Sequence, residues 1–526
     1  TAARRSARGL MATRVSRPLA GPAAGRRLAV VDLGSNTFRL VVFQYAPGGP
    51  FRLTDEIREA VRINAGVRGN RLSDAAIGRA WRTARLFAAF CREARVDEVA
   101  AVATAAVRDA GNRGEALAAL TGPDGLDVRV ISGEEEARYG YLGAVNSTTI
   151  TDGLVMELGG GSMQVGAVEG RRLPASLSEP LGAVRMTETF LPGPRTTRAH
   201  VKALRRHVLE RLGAHPWVAA GGGRLVAMGG SVRTLATMAQ KASGYPIGEV
   251  HGYMLTRDAV AEQVDRMAAL PAAERDRIPG LKTDRADIML AGAVVVQALM
   301  EAAGLDRLEV CAQGLRWGIF YERFLAPDEP PLLDDVRRRH VLNTAAVYGF
   351  DQAHAEQVTR LALEIFDGLA ALGLHGGDPR EREWLWAAGM LHDVGVLVDY
   401  NDHHKHGHYL VLNAGLPGFR HRELAIIALL VRAHRKTIAG PGDLAPLLKP
   451  GDDERLLRLA SCLRMAEQLE RGRAALVHEV ECEARDGRVE VRVAMEGDPG
   501  VAIWSAEQER EVFRRAFGRD LEVTAR

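Results

Sequence analysis

Leu28–Val42 reads LAVVDLGSNTFRLVV, and Leu154–Val168 reads LVMELGGGSMQVGAV. In each, an aliphatic run ends on a carboxylate, Asp32 or Glu157, crosses a Gly/Ser turn and returns to apolar residues, which predicts a strand, a tight turn and a second strand. Glycine lets backbone N–H groups close on an anion, and Ser and Thr add hydroxyl donors. A carboxylate at the strand end can hold a hydrated divalent cation against the same phosphate. One such loop is an ordinary hairpin. Two with the same grammar point to a duplicated α/β unit that grips a phosphate chain from both sides.

The remaining chain is read around this pair. At 526 residues it is too long for a single core. Its 47% hydrophobic and 26% charged content is that of a globular protein, and no apolar run is long enough to span a bilayer. Residues 1–27 hold seven arginines and no acid, leaving 62 bases against 66 acids elsewhere, so the body is not that of a nucleic-acid binder. That segment lacks an apolar signal core; it is expected to be a disordered basic tail, with Met11 a candidate start. Cys91, Cys311, Cys462 and Cys482 show no CxxC spacing, which suits buried thiols in a reducing cytoplasm.

In chain order, Ser73–Ala94 is predicted helical with Ser73 as its cap and Ile77, Trp81, Leu86, Phe87 and Phe90 at helical spacing. Glu98–Ala106 reads as a buried strand delivering Thr104 and Arg108 at its end. Ser132 caps a helix that opens with Glu134, Glu135 and Glu136. Strands and helices then alternate through LVAMGGSVRTL (225–235), a long apolar helix over 285–304 and QGLRWGIF (313–320). This is a two-lobed α/β pattern, residues 28–150 and 151–325, with ligand loops at strand ends. The prolines of APDEPPLL (326–333) mark a linker into a helical domain, 335–475. A small α/β unit, 476–526, closes the chain with a hairpin about Asp486-Gly487 and an amphipathic helix over 505–517.

A cleft carboxylate before the second loop can deprotonate a water for attack on a terminal phosphoryl group, and positioning with charge neutralisation supplies most of such catalysis. Asp32 and Glu157 are the expected Mg²⁺ holders. Gly34, Ser35, Asn36 and Thr37, with Gly159, Gly160, Gly161 and Ser162, are the expected phosphate loops, and Arg108 the expected phosphate clamp.

The motifs VVDLGSNTFRLVVF, ATAAVRDAGN, VISGEEEARYGYLGAV, ELGGGSMQV, SEPLGAVRMTETF, MGGSVRTLA, RADIMLAG and QGLRWGIF resemble, in order over residues 28 to about 325, the exopolyphosphatase/guanosine pentaphosphate phosphatase family of the actin-like superfamily. The resemblance implies two actin-like lobes around a cleft. It further implies Mg²⁺-dependent release of orthophosphate from inorganic polyphosphate or guanosine pentaphosphate, with Glu136 as base and Glu135 as second choice. A homodimer and a cytoplasmic location are expected with it, and neither nucleic acid nor membrane as partner. Glu157 stands where that family usually has aspartate, and Gln164 where it usually has glutamate. Rival readings are an actin-like ATPase or sugar kinase, from GGSVRT, and a non-catalytic binder of polyphosphate or alarmone, from the two departures.

In the helical domain, His354 with His392-Asp393 in GMLHDVG resembles the HD phosphohydrolase pattern, which names these three as ligands of a second divalent metal. Glu467 occupies the place of that pattern's downstream aspartate. The expectation weighed above the metal is a retained scaffold that lends surface to the first site, with His403, His404, His406 and His408 in an exposed or interfacial turn. Arg420, Arg432, Arg435 and Lys436 are the candidate contacts to an anionic chain.

Overall fold

The computed structural model describes residues 25–64, 70–122, 124–436 and 438–526. The predicted tail lies outside these residues except at its end, where Arg26 and Arg27 already belong to the first strand. Strands β1 (Arg26–Leu33), β2 (Phe38–Tyr45) and β3 (Phe51–Glu59) form an antiparallel meander. After α1 (Asp74–Glu93) come β4 (Glu98–Ala103), α2 (Ala105–Arg108), α3 (Arg113–Leu120), β5 (Val128–Val130) and α4 (Gly133–Val145). The sheet order is β3-β2-β1-β4-β5, with β4 and β5 added in parallel.

The second half repeats that plan. A meander of β6 (Gly153–Leu158), β7 (Met163–Glu169) and β8 (Arg172–Glu179) is followed by α5 (Ala183–Phe190), α6 (Arg198–Gly213), β9 (Leu225–Gly229) and α7 (Gly230–Ser243). Then come β10 (Met254–Thr256), α8 (Arg257–Ala268), α9 (Met289–Ala302), β11 (Arg307–Val310) and α10 (Leu315–Phe324). Its sheet runs β10-β11-β9-β6-β7-β8, so β6 sits where β1 does, between a hairpin partner and a parallel strand.

Several expectations are corrected. In α1, Ser73 does accept from the Ala76 N–H, but Trp81 and Leu86 face solvent; the buried stripe is Phe87 with the small residues Ala76, Ala80, Ala84, Ala88 and Cys91, which let the helix lie close to the sheet. The strand over 98–106 stops at Ala103, and Arg108 ends the short helix α2 instead. The long apolar helix begins only at Met289.

The division at 150 and 325 is one of sequence, not of packing. Helix α4, from the first half, packs on β6, β7 and β8, while α10, from the second, packs on β1 and β2. The two helices face each other between the sheets, where Phe43, Phe51, Phe320 and Phe324 stack in a continuous aromatic core. Each lobe therefore carries the other's helix.

Helices α11 (Val336–Val347), α12 (Gln352–Ala371), α13 (Pro379–Leu391), α14 (His403–Ala414), α15 (His421–Ala433) and α16 (Asp452–Leu469) form the helical region. The hairpin β12 (Val477–Arg485) and β13 (Arg488–Met495) turns at Asp486 and Gly487, both at positive φ. The expected helix over 505–517 is two helices, α17 (Gly500–Glu507) and α18 (Arg510–Phe517), before β14 (Leu521–Ala525) pairs in parallel with β13. This closing unit shares one hydrophobic core with the helical region, Val491, Phe513 and Val523 packing in the same cluster as Leu361 and Leu463, and so is not a body of its own. Cys91, Cys311 and Cys462 are buried free thiols and Cys482 is a half-buried one. Among the described residues no helix is long and apolar enough to cross a membrane.

Candidate active site

The two hairpin turns meet face to face. Asp32 is opposite Arg39 in the first register, and Glu157 is opposite Gln164 in the second. A Cβ on Gly161 would lie 2.5 Å from Ser35 Oγ, and one on Gly160 would lie 3.2 Å from Ser35 Cβ, so the glycines set how closely the lobes approach. The loop carbonyls are turned away: Ser35 and Asn36 accept from the N–H groups of Ile63 and Arg62, and Gly159 and Gly160 accept from those of Ala183 and Val184. Gly34 to Thr37 and Gly159 to Ser162 all line the cavity between them.

Glu136 enters this cavity from the first turn of α4, whose capping box is formed by Ser132 and Glu135. It is 7% exposed, with Oε2 accepting from Arg108 Nη1 at 2.8 Å and Oε1 3.5 Å from Ser162 Oγ. Burial pushes its pKa up to about 7, Arg108 works against that, and the carboxylates of Glu157 and Asp32 add to it. A buried carboxyl poised near neutrality suits a general base.

Glu135 does not share that role. Its Oε2 accepts from the Ser132 N–H at 2.8 Å and its other oxygen is paired with Arg129, which completes the helix cap and holds its pKa down. Arg108 is also reassigned: its guanidinium holds Glu136 and lies 3.3 Å from Asp109, and it is not part of the cavity wall.

Asp32 and Glu157 face the cavity from opposite lobes. Asp32 Oδ2 accepts from Arg316 Nη1 at 3.0 Å, and Glu157 Oε2 accepts from the Leu315 N–H, also at 3.0 Å, at the start of α10. Burial pushes Glu157 up to about 7 despite Arg316. The extra methylene of Glu157 is housed between two glycines, since a Cβ on Gly314 would lie 2.5 Å from Oε1 and one on Gly140 2.9 Å from Oε2. Gln164 uses its amide as a double donor, to Ser162 Oγ at 2.8 Å and Ser178 Oγ at 2.9 Å, which a carboxylate could not do.

Sequence reasoning missed the cations. Arg39, Arg233, Arg285 and Arg316 all line the cavity. Burial, then Arg316 and Arg233, lowers the pKa of Arg39; burial, then Arg316, lowers that of Arg233. Such crowding is relieved by a polyanion. All four stand inside motifs already quoted, Arg233 and Arg316 within three residues after a glycine, and Arg39 stands opposite Asp32; register was the signal available. A second cavity of about 530 Å³ continues from Arg39, Arg233 and Arg285 to Arg58 and Lys282.

Comparison with known proteins places the chain in a family. A model of the Ppx/GppA phosphatase family matches residues 41–326, and one of Ppx/GppA phosphatase domain III matches 336–498. The chain belongs to the Ppx/GppA phosphatase family. An exopolyphosphatase-like protein is 26% identical with a TM-score of 0.52, the match covering 56% of this chain and 97% of that one. An exopolyphosphatase from Cytophaga hutchinsonii is 21% identical with a TM-score of 0.52, over 57% and 98%. The Aquifex aeolicus family member is 30% identical over 56% and 96%, with a TM-score of 0.49. Family membership makes this Ppx/GppA protein a phosphoanhydride hydrolase with an actin-like core.

In the helical region the structure brings His354, His392 and Asp393 together. It also corrects the expected exposed or interfacial turn: residues 403–408 begin α14, and His403 and His404 are buried. A Cβ on Gly395 would lie 2.0 Å from the His403 carbonyl oxygen, so that glycine lets the start of α14 sink inward. Of the candidate chain contacts, Arg435 stacks on Tyr400 and Lys436 pairs with Asp402, both beside this histidine cluster.

Proposed function

We propose that this family member is an exopolyphosphatase that releases terminal orthophosphate from inorganic polyphosphate, with Glu136 as general base. The observation that carries the reading is the basic channel leading from the cleft, walled by Arg39, Arg58, Arg233, Lys282 and Arg285. Five cations against the two acids of the outer wall, Glu56 and Glu249, suit a chain with a charge on every unit. Among the described residues neither cavity has an aromatic side chain in its wall on which a guanine could stack, which favours polyphosphate over guanosine pentaphosphate.

In the reaction Glu136 takes a proton from water as the water oxygen attacks the terminal phosphorus. The P–O–P link breaks, and the shortened chain leaves as a phosphate anion. The loop N–H groups and the Ser35 and Thr37 hydroxyls orient the terminal phosphoryl group, and Arg316 and Arg39 face its charge. Gln164 donates to Ser162 and so leaves the serine proton free to point at Glu136, which fixes the base.

The donor set fits Mg²⁺: Asp32 and Glu157 are hard oxygen ligands, and Thr37 Oγ1 and Gln164 Oε1 are buried oxygens that make no hydrogen bond. When bound there, the ion neutralises charge on the phosphoryl oxygens.

The test is phosphate release from long-chain polyphosphate and from guanosine pentaphosphate in Mg²⁺, with Glu136→Ala in parallel. Polyphosphate cleavage lost in the variant is expected. Cleavage of the nucleotide alone refutes the substrate, and activity surviving in Glu136→Ala refutes the base.

A further inference from the structure

We propose that the helical region carries a second site, independent of the cleft: a centre for two divalent first-row transition-metal cations whose external ligand is an oxyanion of the phosphate class. Its ligands are His354, His392, Asp393, His403, His434 and Glu467. They come from five places in the fold, the first turn of α12, the residues just after α13, the start of α14, the residue after α15, and α16. Two overlapping groups share Asp393: His354 and His392 on one side, His403 and His434 on the other. Glu467 Oε2 joins the first group, 3.2 Å from both His354 Nε2 and His392 Nε2.

The second coordination layer fixes which nitrogen faces inward. His392 Nδ1 is 2.7 Å from the Gly389 carbonyl, His403 Nδ1 2.8 Å from that of Tyr400, and His434 Nδ1 2.7 Å from that of Val431. Each carbonyl can only accept, so each Nδ1 carries a proton, and each ring, when neutral, turns its Nε2 lone pair to the centre. Between neutral His403 and His434 this sets lone pair against lone pair, their Nε2 atoms 3.0 Å apart; His354, whose buried Nδ1 makes no hydrogen bond, brings its Nε2 to 3.3 Å from that of His392. Two ligand atoms with bonds of about 2.1 Å to one ion lie about 3.0 Å apart at a right angle and about 3.4 Å apart at the tetrahedral angle. The spacings found are those of ligands on a shared ion.

A proton shared between two rings would relieve one pair, but the carboxylates argue against that as the whole account. Asp393 is 7% exposed, yet its Oδ1 makes no hydrogen bond although it lies 3.2 Å from His403 Nε2; Glu467 Oε2 makes none either. Asp393 Oδ1 lies 3.2 Å from His403 Nε2 and 3.7 Å from His392 Nε2, and Oδ2, paired with Arg473, lies 3.8 Å from His354 Nε2, so the carboxylate stands between the two groups, a position that suits bridging two ions.

Four neutral imidazoles and two carboxylates carry two negative charges against four on a pair of divalent cations. The surplus, with Arg473 paired to Asp393 and Arg435 3.4 Å from His403 Nδ1, calls for an anionic ligand with several oxygens. Imidazole-rich ligation selects Mn²⁺, Fe²⁺ or Zn²⁺ over Mg²⁺, so the two sites sort their metals by ligand type.

The test uses the full chain, stripped with chelator and loaded with Mn²⁺ in excess Mg²⁺, so that Mg²⁺ occupies the cleft. Bound metal is counted after desalting and observed by electron paramagnetic resonance. Wild type is expected to retain two Mn²⁺ with an exchange-coupled spectrum that inorganic phosphate alters. His434→Gln is expected to retain one with an uncoupled spectrum, and Asp393→Asn to lose the pair. Glu467→Gln serves as a second variant if either fails to fold. No Mn²⁺ in the folded wild type means a hydrogen-bonded histidine core and overturns the proposal, as does equal retention in wild type and all three variants. A spectrum indifferent to phosphate overturns the ligand class.

Discussion

Replacing Arg108 with methionine separates two roles that a cation beside an active site can play. The guanidinium donates at 2.8 Å to Glu136 Oε2, and its side chain is 20% exposed. A hydrogen bond to a charged group is worth about 1.5–3 kcal/mol, and a pKa unit about 1.4 kcal/mol, so Arg108→Met should raise the Glu136 pKa by about one to two units. The wild-type carboxyl sits at about 7. Only the carboxylate can accept the water's proton, so activity rises with pH through that value in the wild type and through a higher one in the variant. At pH 7 the ionised fraction falls from about one half to between about 0.09 and 0.01, a loss of roughly 5- to 50-fold that is recovered above about pH 9. The assay is phosphate release from polyphosphate across pH 5.5 to about 10, at saturating substrate and Mg²⁺. A limb that stays near 7 while KM rises would mean that Arg108 grips the substrate phosphate directly, and the positioning argument would fail.

Gly161→Ala puts a methyl 2.5 Å from Ser35 Oγ and 3.2 Å from Ala105 Cβ, wedging the phosphate loops apart. A displacement of about 1 Å at the reacting centre costs on the order of 10²-fold in kcat, so activity should collapse while the melting temperature moves little; a variant with near wild-type turnover would show that loop contact does not set the geometry. Lys282 lines only the outer cavity and Arg285 lines both. Lys282→Ala should raise KM for long chains alone, while Arg285→Ala should raise it for tripolyphosphate too, each by about 10-fold for about 1.4 kcal/mol; equal effects on both lengths would remove the channel from the chain's path. Glu157 has a folded pKa raised to about 7, above its unfolded value, so in metal-free protein its ionisation costs stability as pH rises from about 4.5 to 7. Glu157→Gln should therefore melt higher than wild type at pH 8 and not at pH 4.5 in calorimetry; the reverse order would show that the Leu315 N–H and Arg316 outweigh burial.

The hairpins, their acids and Glu136 were legible because each signal is local. Glycine, hydroxyl and carboxylate fall within a few residues, and a capping box marks where α4 begins. The same locality misled at Glu135, one residue from Glu136 but turned by the helix into the cap. The arginines were not legible, since a single Arg after a glycine has no periodicity and its direction depends on a partner strand or helix far away in sequence. The HHKHGH run failed for the converse reason: its composition is that of a wet surface, yet α14 lies against α15 and buries His403 toward His434, 31 residues on. Burial of a polar run cannot be read without knowing which glycine makes room for it, and here Gly395 does.

The exchange of α4 and α10 shows how the fold accommodates the Glu157 departure. Consecutive residues at the start of α10 touch the strand ends before both phosphate loops: the Leu315 N–H donates to Glu157 of the second lobe, and the Arg316 guanidinium to Asp32 of the first. A helix N-terminus favours negative charge, so the longer Glu157 carboxylate gains a donor that offsets part of its burial. The absent side chains of Gly140 and Gly314 supply the room it needs. Because α10 is packed on β1 and β2 while its first turn holds an acid of β6, opening the lobes must pull Glu157 from Leu315 or Asp32 from Arg316. The acids that would hold the metal are therefore also the latch between the lobes, and a cation or phosphate that engages them acts on closure and on chemistry through the same atoms.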